Sequence, residues 1–241
     1  MNAKQKKEIL EIAKNSFAKE LIKNHKENTE KCKKIKAFNI NPFLVKYLAN
    51  FLNGSCNSKD IAKVLVYPRV LGTSINTSFG NYLQKFCTSA LSGFASTTSG
   101  IDIEFIDCVD GRRKFCQIKA GPNTINKDDV ETIKNHFSAV KRLARTNNKI
   151  LNTTDLIVGV LYGTPKELNG NYKKIDQEYP VFVGEEFWYR LTGDKKFYYD
   201  LIDVVAEAAI NEDCTQLLDD VIEKLAIEID NNTELTKHEC E

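Results

Sequence analysis

Apolar residues recur at three- and four-residue spacing through the first third of the chain and at two-residue spacing near its middle. Ile9, Ile12, Ala13, Phe17, Leu21 and Ile22 form one stripe, which predicts a helix over 3–35. Pro42 disfavours helical backbone at Asn41 and marks a break. A second helix runs through "FLVKYLANFLNG" and stops at Gly54; a third covers 58–70, with Ser58 as N-cap and Pro68 near its end. "LGTSINTSFG" reads as a polar, Gly-bounded loop leading into a short helix, "FGNYLQKFCTSAL".

The period then changes. Ile101, Ile103 and Phe105 alternate with Asp102, Glu104 and Ile106, as in a half-buried strand. Asp110-Gly111 supplies a turn, and "KFCQIKA" a second strand. "NTINKDDVETIKNHFSAVKRLA" is a helix with Val130, Ile133, Phe137, Val140 and Leu143 on one side. "DLIVGVLYG" is almost wholly apolar and fits a central strand covered on both faces. "YPVFVGEEFWYRL" is a short strand running into a helix, whose Phe187 and Trp188 read as core, and two further helices close the chain. The order predicts an α/β (α+β) architecture, a mixed central sheet flanked by helices with a helical N-terminal region.

Composition narrows the setting. The 241 residues, 42% hydrophobic and 28% charged, suffice for a large core. No apolar run approaches the roughly 20 residues of a membrane span, so no membrane partner is expected. Lys and Glu interrupt the first apolar positions, unlike a signal peptide. The seven Cys are scattered without CxxC or zinc spacing, and reduced thiols in a cytoplasmic protein are expected. The net charge of +1 is unevenly spread: residues 1–36 hold eleven Lys and five Glu, and residues 203–241 hold two Lys and twelve Asp or Glu. A polyanion would avoid the C-terminal end, although two solvated helical faces of opposite sign account for the same counts.

The hairpin carries the candidate chemistry. Alternation puts Asp102 and Glu104 on one face of their strand and Gln117 and Lys119 on one face of the next, with Cys116 and Ile118 turned into the core. An acid, an oxygen ligand and an ammonium group together suit metal-dependent phosphodiester cleavage. A hard cation such as Mg²⁺ takes carboxylate, amide and backbone carbonyl oxygens, and an ammonium stabilises charge building on phosphate. The acid followed by (D/E/Q)-x-K at a strand end is the PD-(D/E)xK nuclease signature. A salt-bridged hairpin, with Glu104 paired to Arg112 or Lys114, is the plainer alternative. Ser74, Asn76, Thr77 and Ser78 make a polar loop able to donate to phosphates or base edges, or a loop and nothing more. Gln84 could reach the cleft, though a polar helix position explains it as well. His136 has no partner at ligand spacing and is assigned no catalytic role.

"QIKAG" with "PNTIN", then "DLIVGVLYG", then "VFVGEEFW" resemble the ordered blocks of PmeII-type restriction endonucleases and of relatives that cut interrupted GG…CC sites. "NINPFL" and "RVLGTSINTSFG" fit the same family, and the likeness covers roughly residues 38–195. The resemblance implies a PD-(D/E)xK core and a homodimer that cuts double-stranded DNA at a short specific sequence, with Mg²⁺ as cofactor and Mn²⁺ able to substitute. It implies a cognate DNA methyltransferase in the same system, though not as a stable partner. Asp102 takes the metal-binding acid's place, Gln117 the second motif position and Lys119 the catalytic lysine's. The Ile118 carbonyl joins the ligands, with Glu104 a further candidate. Gln117 departs from the usual acid, and Asp128 and Glu131 are the nearby acids that could compensate. Arg112, Arg113, Asn123, Thr124 and Asn126 join the polar loop as candidate DNA contacts. On this reading 1–72 is a helical region for dimerisation and DNA contact, 73–200 the catalytic core, and 201–241 helices packed on that core. A structure-specific or repair nuclease of the same fold, and a catalytically degenerate DNA-binding protein, remain the alternatives.

Overall fold

The alternating run after Ile101 becomes the edge of a four-stranded mixed sheet of order β1-β2-β3-β4 in the computed structural model, which describes residues 3–90, 94–210 and 214–232. Strand β1 (Ile103–Ile106) pairs antiparallel with β2 (Arg113–Lys119), Ile103 opposite Cys116. β2 pairs parallel with β3 (Leu156–Val160), and β3 with β4 (Val181–Val183). Parallel neighbours need crossovers. These are α6 (Lys127–Thr146) between β2 and β3, and α7 (Gly170–Asp176) between β3 and β4. Every residue of β3 is buried, as its apolar run predicts.

The core follows the sequence stripes. Val130, Ile133, Phe137 and Val140 of α6 join Val158 and Val160 of β3 with Tyr172, Ile175 and Tyr179. On the other face a Cβ at Gly159 would strike the ring of Phe187 in α8 (Glu185–Thr192), so the glycine lets this helix lie close on the strand. Trp188 beside it is buried and donates Nε1–H to the Leu161 carbonyl at 2.8 Å. The expected core role of both aromatics holds, as does the mixed α/β class.

Two compact units divide the chain: 1–16 with 80–207, which holds the sheet, and 17–79 with 208–241, which is helical. In the helical unit α3 (Pro42–Asn53) starts at Asn41, whose side chain accepts from Phe43 N–H and Leu44 N–H, and ends at Gly54 with φ 71°. α4 (Ser58–Pro68) packs against α3 and α10 (Thr215–Asp230), with Ile61, Ala62, Val64, Val221, Ile222 and Leu225 in their shared core.

Several sequence expectations change. The helical run from Ala3 to Lys31 is α1 (Ala3–Ser16), a π turn at Phe17–Ile22 and α2 (Lys23–Lys31). Asn57, one residue before Ser58, caps α4 by accepting from Asp60 N–H at 3.0 Å. "LGTSINTSFG" is no loop: a π turn at Arg69–Ser74 runs into α5 (Ile75–Ala90). Ile75, Phe79, Tyr82, Leu83 and Phe86 continue an apolar stripe through it, and the polar residues are the helix's outer face. α7 was not expected, and α10 shares a core with α4. Cys32, Cys108, Cys116 and Cys214 form no disulfide, but Cys56 is disulfide-bonded, against the expectation of reduced thiols throughout. No helix among the described residues is long and apolar enough to cross a membrane.

Candidate active site

The β1–β2 pairing places the first acid. Asp102 precedes β1 and donates its N–H to the Cys116 carbonyl at 3.0 Å. Its Oδ2 accepts the Ile118 N–H at 2.7 Å, so the carboxylate lies against the peptide that joins Gln117 to Ile118. Asp102 is exposed. Alternation in β2 holds as expected for Cys116, which is fully buried, and for Ile118.

Gln117 faces α6. Its Nε2 donates to the Gly100 carbonyl and to His136 Nδ1, the latter at 2.6 Å. Both amide hydrogens are thus used, and His136 must carry its proton on Nε2 to accept. Among the described residues nothing donates to Gln117 Oε1 or to the second Asp102 oxygen. Gly100 has φ 77°, and a Cβ there would strike the His136 ring. A side chain at this position would therefore strain the backbone and push the imidazole off Gln117.

Lys119 is half-buried with Nζ 3.8 Å from Asp129 Oδ1. Asp129 also closes the α6 capping box, accepting from Asn126 N–H at 2.8 Å while Asn126 Oδ1 accepts from Asp129 N–H at 2.9 Å. The acid beside the lysine is therefore Asp129, while Asp128 and Glu131 point to solvent. The loop after Lys119 is pinned from α7. Tyr172 donates to the Gly121 carbonyl at 2.9 Å, and Asn169 and Asn171 donate to the Ile125 carbonyl at 3.1 and 3.2 Å. Burial pushes the Tyr172 phenol up to about 12, so it remains a donor.

Many of the other expected site residues have structural partners. Glu104 accepts from Ser96 and Thr98 hydroxyls at 2.6 and 3.1 Å and lies 3.5 Å from Arg113, not against Arg112 or Lys114. Arg112 grips buried Asp155 through both Nε and Nη2. Lys114 is buried between Asp110 at 2.5 Å, Asp155 at 3.7 Å and Asp107 at 4.0 Å. Thr124 bonds Gly121 and Tyr172, Asn126 is the helix cap, and Asn123 is exposed. Ser74, Asn76, Thr77 and Ser78 lie in the helical unit, on the π turn and α5. Gln84's side chain lies outside those described.

Asp129 and Gly100 escaped the sequence reading, and His136 was assigned no role in it. The available signal was spacing: Asp129 and His136 are seven apart and flank the apolar stripe of α6.

The donors at this strand end are all hard oxygens. One Asp102 oxygen, Gln117 Oε1 and the Ile118 carbonyl suit Mg²⁺, which keeps several waters and needs only one or two carboxylates alongside substrate phosphate. Among the described residues no group of three His, Cys, Asp or Glu side chains is placed to hold a metal ion.

A protein-family model described as Type II restriction endonuclease EcoO109I matches residues 7–213. No curated protein matches the chain at a significant level.

Proposed function

We propose, since this chain belongs to the type II restriction endonuclease EcoO109I family, that it hydrolyses both strands of duplex DNA at one short specific sequence. The carrying observation is the Asp102 carboxylate bonded to Ile118 N–H, beside Gln117 and two residues from Lys119 on the same strand. Asp102, Gln117 through Oε1, and the Ile118 carbonyl would hold Mg²⁺. When bound, that ion supplies a Lewis acid to the scissile phosphate and acidifies water. Lys119 orients the attacking water and stabilises charge on the phosphate as a P–O bond breaks in line. Asp129 holds the ammonium in place, and His136 fixes the Gln117 amide so that its oxygen, not its nitrogen, faces outward.

The ordered sequence blocks shared with PmeII-type enzymes support an interrupted GG…CC site. A symmetric site calls for a homodimer, and residues 1–72 are the proposed dimer and DNA-contact region. Supporting this, α3 leaves Phe43, Leu44, Tyr47, Phe51 and Leu52 exposed. Mn²⁺ substituting for Mg²⁺, a cytoplasmic location and a cognate methyltransferase complete the reading.

Gln117 favours one second reading, a DNA-binding protein without turnover. Digestion of a long unmethylated DNA in Mg²⁺, with sequencing of the ends, separates them: discrete bands with common ends support restriction, and binding without cutting supports the second reading. Cleavage of branched substrates alone would point to a repair nuclease. Lys119→Ala should abolish cleavage and leave metal-free DNA binding nearly intact, because the ammonium acts on the chemistry. A purified variant cutting within about tenfold of wild type would make Lys119 a structural residue.

A further inference from the structure

The helical unit carries a concave pocket of about 490 Å³ far along the chain from the nuclease motif, and its polar lining is one-sided in charge. Lys31 at the end of α2, Lys36 on the 3-10 turn Ile35–Ala37, and Arg69 at the start of the π turn line it, and no acid does. None of the three forms an ion pair among the described residues. Lys31 donates only to the neutral Asn28 Oδ1, at 2.9 Å. The hydroxyls of Thr73, Ser74, Thr77 and Ser78 line the same pocket. Arg69, Thr73 and Thr77 recur every fourth residue, and Ser74 and Ser78 do the same, so the helical run presents them along one wall. Thr77 Oγ1 donates to the Thr73 carbonyl at 3.0 Å, which occupies that hydroxyl; among the described residues the Ser74 and Ser78 hydroxyls have no hydrogen-bond partner and can donate.

We propose that this pocket grips consecutive backbone phosphates of duplex DNA. The proposal rests on the DNA-cleaving reading above and adds a contact outside the catalytic unit. Cations gathered without a carboxylate repel one another, and an anionic ligand relieves that repulsion. All three are exposed, so water screens them and one free ion would be held weakly. A polyanion gains at every phosphate by releasing condensed counterions. Hydroxyl donors serve phosphate oxygens without reading sequence. Of the residues expected to contact DNA, Ser74 and Ser78 thus act as backbone anchors in a basic pocket, Thr77 lines it with its hydroxyl already given to Thr73, and Asn76 is not part of its lining.

The test is the salt dependence of binding to a non-specific duplex, by fluorescence anisotropy in chelator so that nothing is cut. The slope of log affinity against log salt should fall by roughly 0.9 for each phosphate contact removed. Lys31→Gln/Lys36→Gln/Arg69→Gln should therefore lower it by about 2 to 3, and Lys36→Gln alone by about 0.9. The single substitution, on an exposed turn, guards against misfolding of the triple variant. Unchanged slopes overturn the proposal. So does a pocket that takes the free ion instead: millimolar inorganic phosphate raising the melting temperature of wild type but not of the triple variant, with equal DNA slopes. If wild type cuts DNA and the variant slopes match it, only the pocket assignment falls. If wild type neither binds nor cuts any duplex, the nuclease reading falls with it.

Discussion

At Gln117, the proposed second position of the PD-(D/E)xK motif, an amide stands in place of the usual acid, and its surroundings are matched to an amide. The Gly100 carbonyl can only accept, and Gln117 Nε2 donates to it and to His136 Nδ1. A carboxylate there would set an oxygen against the Gly100 oxygen. Gln117→Glu should therefore act in two opposite ways. Without metal the protein should lose about 1–3 kcal/mol, the cost of a buried acceptor left unpaired. With metal the added charge should shift the Mg²⁺ midpoint for cleavage of one duplex to lower concentration. Denaturant titration of the metal-free protein reads the first effect and a Mg²⁺ titration the second. Equal metal-free stability would remove the Gly100 and His136 bonds from consideration, and an unchanged midpoint would remove Gln117 from the metal site. That Gln117 and Lys119 share a face of β2 was legible because a strand's two-residue period fixes which side chains lie together. His136 and Asp129 were not, because their part arises only when α6 docks on β2, and no local rule pairs residue 117 with residue 136.

Among the elements, β2 bears the proposed site at one end and a buried charge network at the other. Lys114, essentially unexposed, lies among Asp107, Asp110 and Asp155, while Arg112 holds Asp155 and Arg190 of α8 holds Asp107 at 2.8 Å. This ties the hairpin turn to the start of β3 and to α8, fixing the register that brings Gln117 and Lys119 to their places. Lys114→Met should cost about 3–5 kcal/mol, because Asp107 and Asp155 would stay buried with one cation fewer; an unchanged denaturant midpoint would show that the arginines suffice. The network also sets a pH dependence. Burial pushes the Asp155 carboxyl up, but Arg112, the Asn152 N–H and Lys114 outweigh it and hold the group below its usual range. Asp110 is likewise held low: burial opposes the shift, and Lys114 and the Arg112 N–H prevail. A depressed carboxylate adds stability above its unfolded pKa of about 3.9 and loses it as pH falls through the lower folded value. Wild-type stability should thus drop below about pH 4, and Lys114→Met should drop less there. Parallel acid profiles would detach Lys114 from these carboxylates. From the sequence, Arg112 and Lys114 were candidate partners of Glu104, since alternation says which face a residue takes and not which element covers it. Covering explains the other misreading too. "LGTSINTSFG" looked like a loop by polarity, yet a helix with an apolar stripe tolerates any residue on its outer face.

At the scale of the whole molecule, the proposed cleavage of both strands becomes one event if the protein is the proposed homodimer. Phe43, Tyr47 and Phe51 recur every fourth residue on α3, with Tyr47 and Phe51 stacked 5.9 Å apart between ring centroids. Phe43 is 90% and Phe51 74% exposed, which is unlike the scattered single apolar residues of an ordinary surface. If a second copy covers this face, Phe43→Glu/Phe51→Glu should yield a folded monomer, since neither ring supports the core of its own chain. Wild type should sediment as a dimer at micromolar concentration and the variant as a monomer with an unchanged circular dichroism spectrum. On a supercoiled plasmid with one site, wild type should produce linear DNA directly, because both active sites act within one complex. The variant holds an intact Asp102, Gln117 and Lys119, so what it loses is the second active site; any remaining activity should accumulate nicked circles. A variant that remains dimeric would move the interface off α3. A monomeric wild type that still linearises plasmid would overturn the dimer itself, and the match between a two-fold protein and a symmetric site would go with it.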